Sequence, residues 1–81
     1  MKARVFVSLK STVLDPQGKT VQAALAGLGY GEIAAVRQGK FFDITVADGA
    51  DPEKARKDVG TIAQEVLTNP VIEECRVEFP D

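Results

Sequence analysis

The chain opens with alternating apolar and polar residues, and the period then lengthens. Over 2–10, Ala3, Val5, Val7 and Leu9 share one parity, and Lys2, Arg4, Ser8 and Lys10 share the other. A period of two predicts a half-buried strand. Phe6 breaks the pattern by placing an aromatic ring on the polar side. Further on, Val21, Ala24, Leu25 and Leu28 recur at i, i+3, i+4 and i+7, which is the stripe of an amphipathic helix. Asp15 precedes this helix, where a carboxylate accepts hydrogen bonds from free backbone N–H groups and suits the positive end of the dipole. Pro16 fits the first helical position, which needs no N–H. Gly29 and Gly31 end the helix. Within it, Gly18 and Gly27 each cost about 1 kcal/mol relative to alanine, so both predict a close approach of other backbone.

The period of two returns in "EIAAVRQGKFFDITVA", 32–47. This stretch predicts a hairpin turning near Gln38-Gly39, where glycine would permit a positive φ. Phe42, Ile44 and Val46 share one face of its second strand, while Phe41 points the other way beside Asp43 and Thr45. A second Asp-Pro pair, Asp51-Pro52, starts a helix striped by Ala55, Val59, Ile62, Ala63, Val66 and Leu67. "TNP" at 68–70 stops it, because proline keeps the residue before it out of the helical region. A last strand over 71–79 puts Val71, Cys75, Val77 and Phe79 on one face. The predicted order is β-α-β-β-α-β. It is an α+β, ferredoxin-like fold: a four-stranded antiparallel sheet with two helices on one face. No linker interrupts it, so 1–81 reads as a single domain.

Composition removes several functions. The 81 residues carry 10 basic and 12 acidic side chains, net −2. A nucleic-acid or anionic-membrane binder would carry a basic excess. No apolar run nears the ~18 residues of a membrane span, and the alternating start is not a signal-peptide core. The expectation is a cytoplasmic protein with neither partner. One cysteine and no histidine allow no internal disulfide, no ordinary zinc site and no imidazole base.

Candidate chemistry is correspondingly thin. Ser8 and Ser11 lack an activating base. Glu73, Glu74 and Glu78 lie on a regular strand, a poor metal cage. Acidic and basic residues mix on the second helix as on a solvated face. "GLGYG", 27–31, follows a helix, whereas a dinucleotide loop precedes one. Cys75 alternates with Val77 and Phe79 and reads as a small buried apolar residue. No catalytic, cofactor-binding or metal-binding residue is expected. Lys10, Lys19, Arg37 and Lys40 either gather to meet an acidic partner or simply keep the surface soluble.

Other uses of this fold leave marks that are missing here. RNA readers carry more exposed aromatics among basic residues. Copper chaperones carry Cys-x-x-Cys, and acylphosphatase-like enzymes an arginine-bearing phosphate loop after the first strand. A small-molecule-binding regulatory module of the ACT type stays open, because "LAGLGYGEIAAV" loosely resembles its helix–Leu-Gly–strand passage.

Four strings in order, "LDPQG" at 14–18, "ALAGLG" at 24–29, "VRQGK" at 36–40 and "NPVIE" at 69–73, resemble PurS. That family is the small subunit of the phosphoribosylformylglycinamidine synthase complex, an ATP- and glutamine-dependent ligase of purine biosynthesis. The resemblance spans essentially the whole chain. It implies a homodimer or dimer of dimers without catalytic residues of its own. It also implies two larger partners, a glutaminase subunit, PurQ, that releases ammonia, and a synthetase subunit, PurL, that uses ATP and Mg²⁺. The small subunit would bridge the two and support ammonia transfer. Gln17, Arg37 and Lys40, which lie in the matching strings, are the expected partner contacts. Phe6 and Phe41, apolar side chains on the otherwise polar sheet face, mark an expected self-association surface.

Overall fold

In the computed structural model, residues 1–80 are described. Three strands form an antiparallel sheet: β1 (Lys2–Leu9), β2 (Gly39–Thr45) and β3 (Glu73–Glu78), in the order β2-β1-β3. β1 is the centre strand. Val5 faces Phe42 on one side and Val77 on the other, and Phe6 faces Phe41 and Arg76. The alternation therefore sorts as predicted. Ala3, Val5 and Val7 are buried on one face, while Phe6, Phe41 and the charged residues lie on the other.

One helix covers the buried face. α2 (Pro52–Ile62) continues into a π-helical turn, Ala63–Leu67. Ala55, Val59 and Ala63, spaced four apart, are buried. Val59 and Ala63 join Ala3, Val5 and Val7 in the core, and Leu67, Cys75, Val77 and Phe79 pack against it. The small side chains let the helix sit close to the strands. Ile62 and Val66, which share the expected stripe, instead lie on the outside.

The other helix departs from expectation. α1 (Pro16–Gly27) has one buried residue, Gly18, and no member in the core cluster. It stands off the sheet as an arm, and the molecule measures 51 × 27 × 13 Å. The expected picture of two helices on one sheet face is thus corrected to one. The expected four-stranded sheet is also corrected. Among the described residues, no strand forms between Gly29 and Gln38, and the sheet has three strands.

This segment instead bonds to α1 and its cap. The Gln22 amide donates to the Ala34 carbonyl at 2.7 Å, and the Gln38 N–H donates to Asp15 Oδ2 at 2.6 Å. Gly18 makes the approach possible, since a Cβ there would collide with the Val36 carbonyl oxygen. Gly18 is therefore the close-approach position its cost implied. Gly27 is not, having open space around it. Nor does Gly39 adopt a positive φ in a hairpin turn. The chain runs from the arm into β2, and Gly39 passes close to the Val7 carbonyl. α1 ends in a Schellman motif, with Tyr30 N–H on Leu25 O at 3.0 Å and Gly29 N–H on Ala26 O at 3.1 Å. Gly29 takes the left-handed φ of 98° that this motif requires.

Candidate functional site

The helix-starting Asp15 sits where the arm joins the sheet. Its Oδ1 accepts from Gly18 N–H at 3.0 Å, the expected cap. Its Oδ2 accepts from Gln38 N–H, so one carboxylate ties the helix start to the returning chain. These two amides, Gln38 first, hold the carboxyl below the usual carboxylate range, and the nearby Arg37 guanidinium adds to the effect. Arg37 itself donates from one nitrogen to the carbonyls of Lys10 and Val13, both at 2.9 Å. Lys10 in turn bonds across to the last loop, its N–H to Ile72 O at 2.9 Å and its ammonium to Pro70 O at 2.8 Å. Asn69 closes that loop by accepting from Val71 N–H at its side chain and from Glu73 N–H at its carbonyl. The strings "LDPQG", "VRQGK" and "NPVIE" thus meet at the arm's base.

Next to this base lies the open face of the sheet. Phe6 and Phe41 are neighbours with ring centroids 6.0 Å apart. Arg4 lies over Phe41 at 4.6 Å, and Arg76 over Phe6 at 4.5 Å. The guanidinium planes cap the rings through cation–π attraction, so the aromatics are not bare in water. Arg4 also grips Asp43 with two bonds, 2.7 and 3.3 Å. That contact raises the Arg4 pKa and lowers that of Asp43. Arg76 pairs with Glu78 at 2.8 Å. The result is an aromatic centre framed by charges of both signs.

Three adjoining depressions, all lined by Ser8, receive the sequence-derived candidates. One of about 520 Å³ is lined by Phe6, Lys40 and Phe41 with Arg76. A second, about 260 Å³, is lined by Gln17 and Lys40. The third, about 230 Å³, is lined by Arg37. Each of the five candidates therefore lines at least one of these depressions. Their chemistry differs, however. Arg37 is engaged in backbone carbonyls, and the Lys40 ammonium lies 5.6 Å over the Phe42 ring. Among the basic residues considered, Lys10 and Arg37 bind the chain's own carbonyls rather than forming a bare basic patch. Sequence reasoning missed Arg4 and Arg76. The signal available was their register, since Arg76 lies across from Phe6 and Arg4 two residues before it on the same face.

A family model described as "PurS: Phosphoribosylformylglycinamidine (FGAM) synthase" matches residues 2–81. The chain belongs to the PurS family. It is 42% identical over 84 residues to phosphoribosylformylglycinamidine synthase subunit PurS of Bacillus subtilis, covering 99% of this chain and 93% of the relative. Among solved PurS structures, that of Methanocaldococcus jannaschii superposes with a TM-score of 0.80 at 35% identity, over 95% of this chain and 92% of that one. A chain of the structure of PurLQS from Thermotoga maritima superposes with a TM-score of 0.83 at 32% identity, over 95% and 93%. These PurS relatives share the small α+β fold over nearly their whole length. No helix among the described residues is long and apolar enough to cross a membrane.

Proposed function

We propose that this chain is the non-catalytic assembly subunit of phosphoribosylformylglycinamidine synthase in purine biosynthesis. It bridges the glutaminase subunit, PurQ, and the synthetase subunit, PurL, and supports ammonia transfer from glutamine to formylglycinamide ribonucleotide. In this reading ATP and Mg²⁺ act at the large subunit, where the formyl amide oxygen is activated and ammonia displaces it. The chain works in the cytoplasm as a single domain, in a homodimer or dimer of dimers. The observation that carries the reading is the near full-length likeness to a chain of the Thermotoga PurLQS structure. The surfaces it suggests are the Phe6–Phe41 face, expected for self-association, and beside it Gln17, Arg37 and Lys40, the expected partner contacts. An aromatic centre with a rim of both charge signs suits a protein partner. No observation favours the effector-binding alternative.

The test is amidine formation by the large subunit with and without this chain, with nitrogen supplied either as glutamine plus the glutaminase or as free ammonium. Omitting the chain is expected to stop the glutamine reaction and spare the ammonium reaction. Phe41→Glu, on a side chain 54% exposed, is expected to slow only the glutamine reaction. A roughly tenfold effect corresponds to about 1.4 kcal/mol of lost docking energy. If neither omission nor substitution changes the glutamine rate, the assembly reading fails.

A further inference from the structure

The helix that covers the sheet ends in an unusual turn. Residues Ala63–Leu67 are π-helical, a form that is rare in proteins and frequent at functional sites. This turn packs against β3, which lies at one edge of the sheet. Between them is a groove of about 420 Å³, lined by Gln64, Glu65 and Thr68 on the helix side and by Glu73, Glu74 and Cys75 on the strand side. Successive strand residues point to opposite faces. A groove that takes in both Glu73 and Glu74 therefore opens around the edge of β3, not on either face alone.

Two features of the groove point to a cation. The first is charge. Three carboxylates line it, those of Glu65, Glu73 and Glu74, and no lysine or arginine does. The Lys10 ammonium, bonded to the Pro70 carbonyl at 2.8 Å, stays outside the lining. Glu73 accepts from Asn69 N–H at 2.8 Å, whereas Glu65 and Glu74 have no hydrogen-bond or ion-pair partner among the described residues. The second feature is Thr68. It is 8% exposed, and its Oγ1 is the one buried side-chain polar atom without a partner among the described residues. Leaving a buried hydroxyl unbonded is costly, and a donor entering between the carboxylates would bond it. Among the described residues no group of three or more acidic or thiol side chains is disposed to hold a metal ion, which favours an organic cation.

We propose that this groove receives an arginine side chain presented by one of the larger partner subunits. A guanidinium offers five N–H donors in a rigid fork, enough to span two carboxylates and the Thr68 hydroxyl together, where an ammonium is a single point of charge. The methylene stem of the arginine rests on Pro70 and Cys75, the less polar part of the lining. The groove is open to the surface, so a small free cation would gain little against its lost freedom. A side chain already held by a wider interface escapes that cost. The position fits a larger subunit, because Glu73 also lines the depression that holds Gln17 and Lys40, two of the expected partner contacts. The inference rests on the bridging part of the proposed function and adds to it a recognition site on β3.

The test is the affinity of the full chain for the purified synthetase and glutaminase subunits together, read by analytical ultracentrifugation. Glu65→Gln combined with Glu74→Gln, both on exposed side chains, is expected to raise the Kd by about tenfold. Asp48→Asn, which removes a carboxylate from an exposed turn outside the groove, is expected to leave it unchanged. Thr68→Val separates docking from folding. Its hydroxyl has no partner in the free chain, so its removal should leave Tm unchanged or raised while weakening the complex by about fivefold. Phenylglyoxal, which modifies arginine, should label one arginine of the larger subunits faster in the complex saturated with the double variant than with the unaltered chain. Full affinity in the double variant, an equal loss with Asp48→Asn, or arginine labelling that does not differ would overturn the arginine site and leave the bridging role standing. An unaltered chain that binds neither larger subunit would overturn both.

Discussion

Two Asp-Pro helices start alike and end in different surroundings. α2 is capped by Asp51, whose carboxylate accepts from Glu53 N–H at 3.2 Å, and lies on the sheet with Val59 and Ala63 in the core. α1 is capped by Asp15, closed by a Schellman motif and backed by its own extended segment, yet buries one glycine. Its backbone is satisfied within the arm, but its apolar side chains are not. The contrast separates two tasks that helices usually perform together. Capping and hydrogen bonding set where a helix starts and stops. Burial of its stripe decides where it sits, and for α1 the chain alone leaves that open.

The comparison predicts graded effects. Val5, fully buried at the sheet centre, belongs to the body. Val5→Ala should cost about 2 kcal/mol in lost burial and cavity, lowering Tm by about 10 °C. Thermal unfolding followed by circular dichroism measures it, and an unchanged Tm would contradict the core assignment. Gly18→Ala strikes the arm's internal joint, driving a Cβ into the Val36 carbonyl. The expected cost is about 1–3 kcal/mol, localised to the arm. Hydrogen exchange should quicken at Gln38 while the β1 amides that pair with β3 keep their protection. Uniform loss of protection would mean that arm and body unfold as one unit.

The smallest effect is acid sensitivity. Asp15 and Asp43 both have carboxyl pKa values lowered in the folded chain. The unfolded state therefore binds protons first as pH falls. Their contribution is fully present above the ordinary carboxylate pKa of about 4 and is lost as pH drops through the lower folded values. Asp15→Asn should flatten that dependence at the arm's base, read from the Gln38 amide shift between about pH 5 and 2. Asp43→Asn should flatten it on the open sheet face, and more weakly in high salt, because the Arg4–Asp43 pair is solvent-exposed.

Much of this organisation was legible in the sequence because it is local. Both caps are Asp-Pro pairs, and side-chain parity puts Cys75, Val77 and Phe79 against the core, whereas Val71, expected beside them, precedes β3 and is exposed. The family strings were legible too, and the structure gives three of them a common place at the arm's base. The fourth strand was misread. "EIAAVR" contains four consecutive small or apolar residues, Ile33 to Val36, and its partner is a helix flank, not a neighbouring strand. The docking of α1 was misread because an amphipathic stripe states that a helix must be covered, not by which surface. The interface candidates were legible as places but not as roles. Arg37 looks like a free cation in sequence, and only the fold brings the Lys10 and Val13 carbonyls within its reach.

β1 draws its neighbours from opposite sides of long stretches of chain. Val5 must find Phe42 across the whole arm and Val77 across the arm and α2 together. The arm's bonds join residues much closer in sequence, such as Asp15 to Gly18 and Gln22 to Ala34. Local contacts form faster than pairings of high contact order, so the arm's short-range bonds are expected to form ahead of the sheet. Pulse-labelled hydrogen exchange during refolding should then protect the Gln38 amide before the β1 amides that pair with β3.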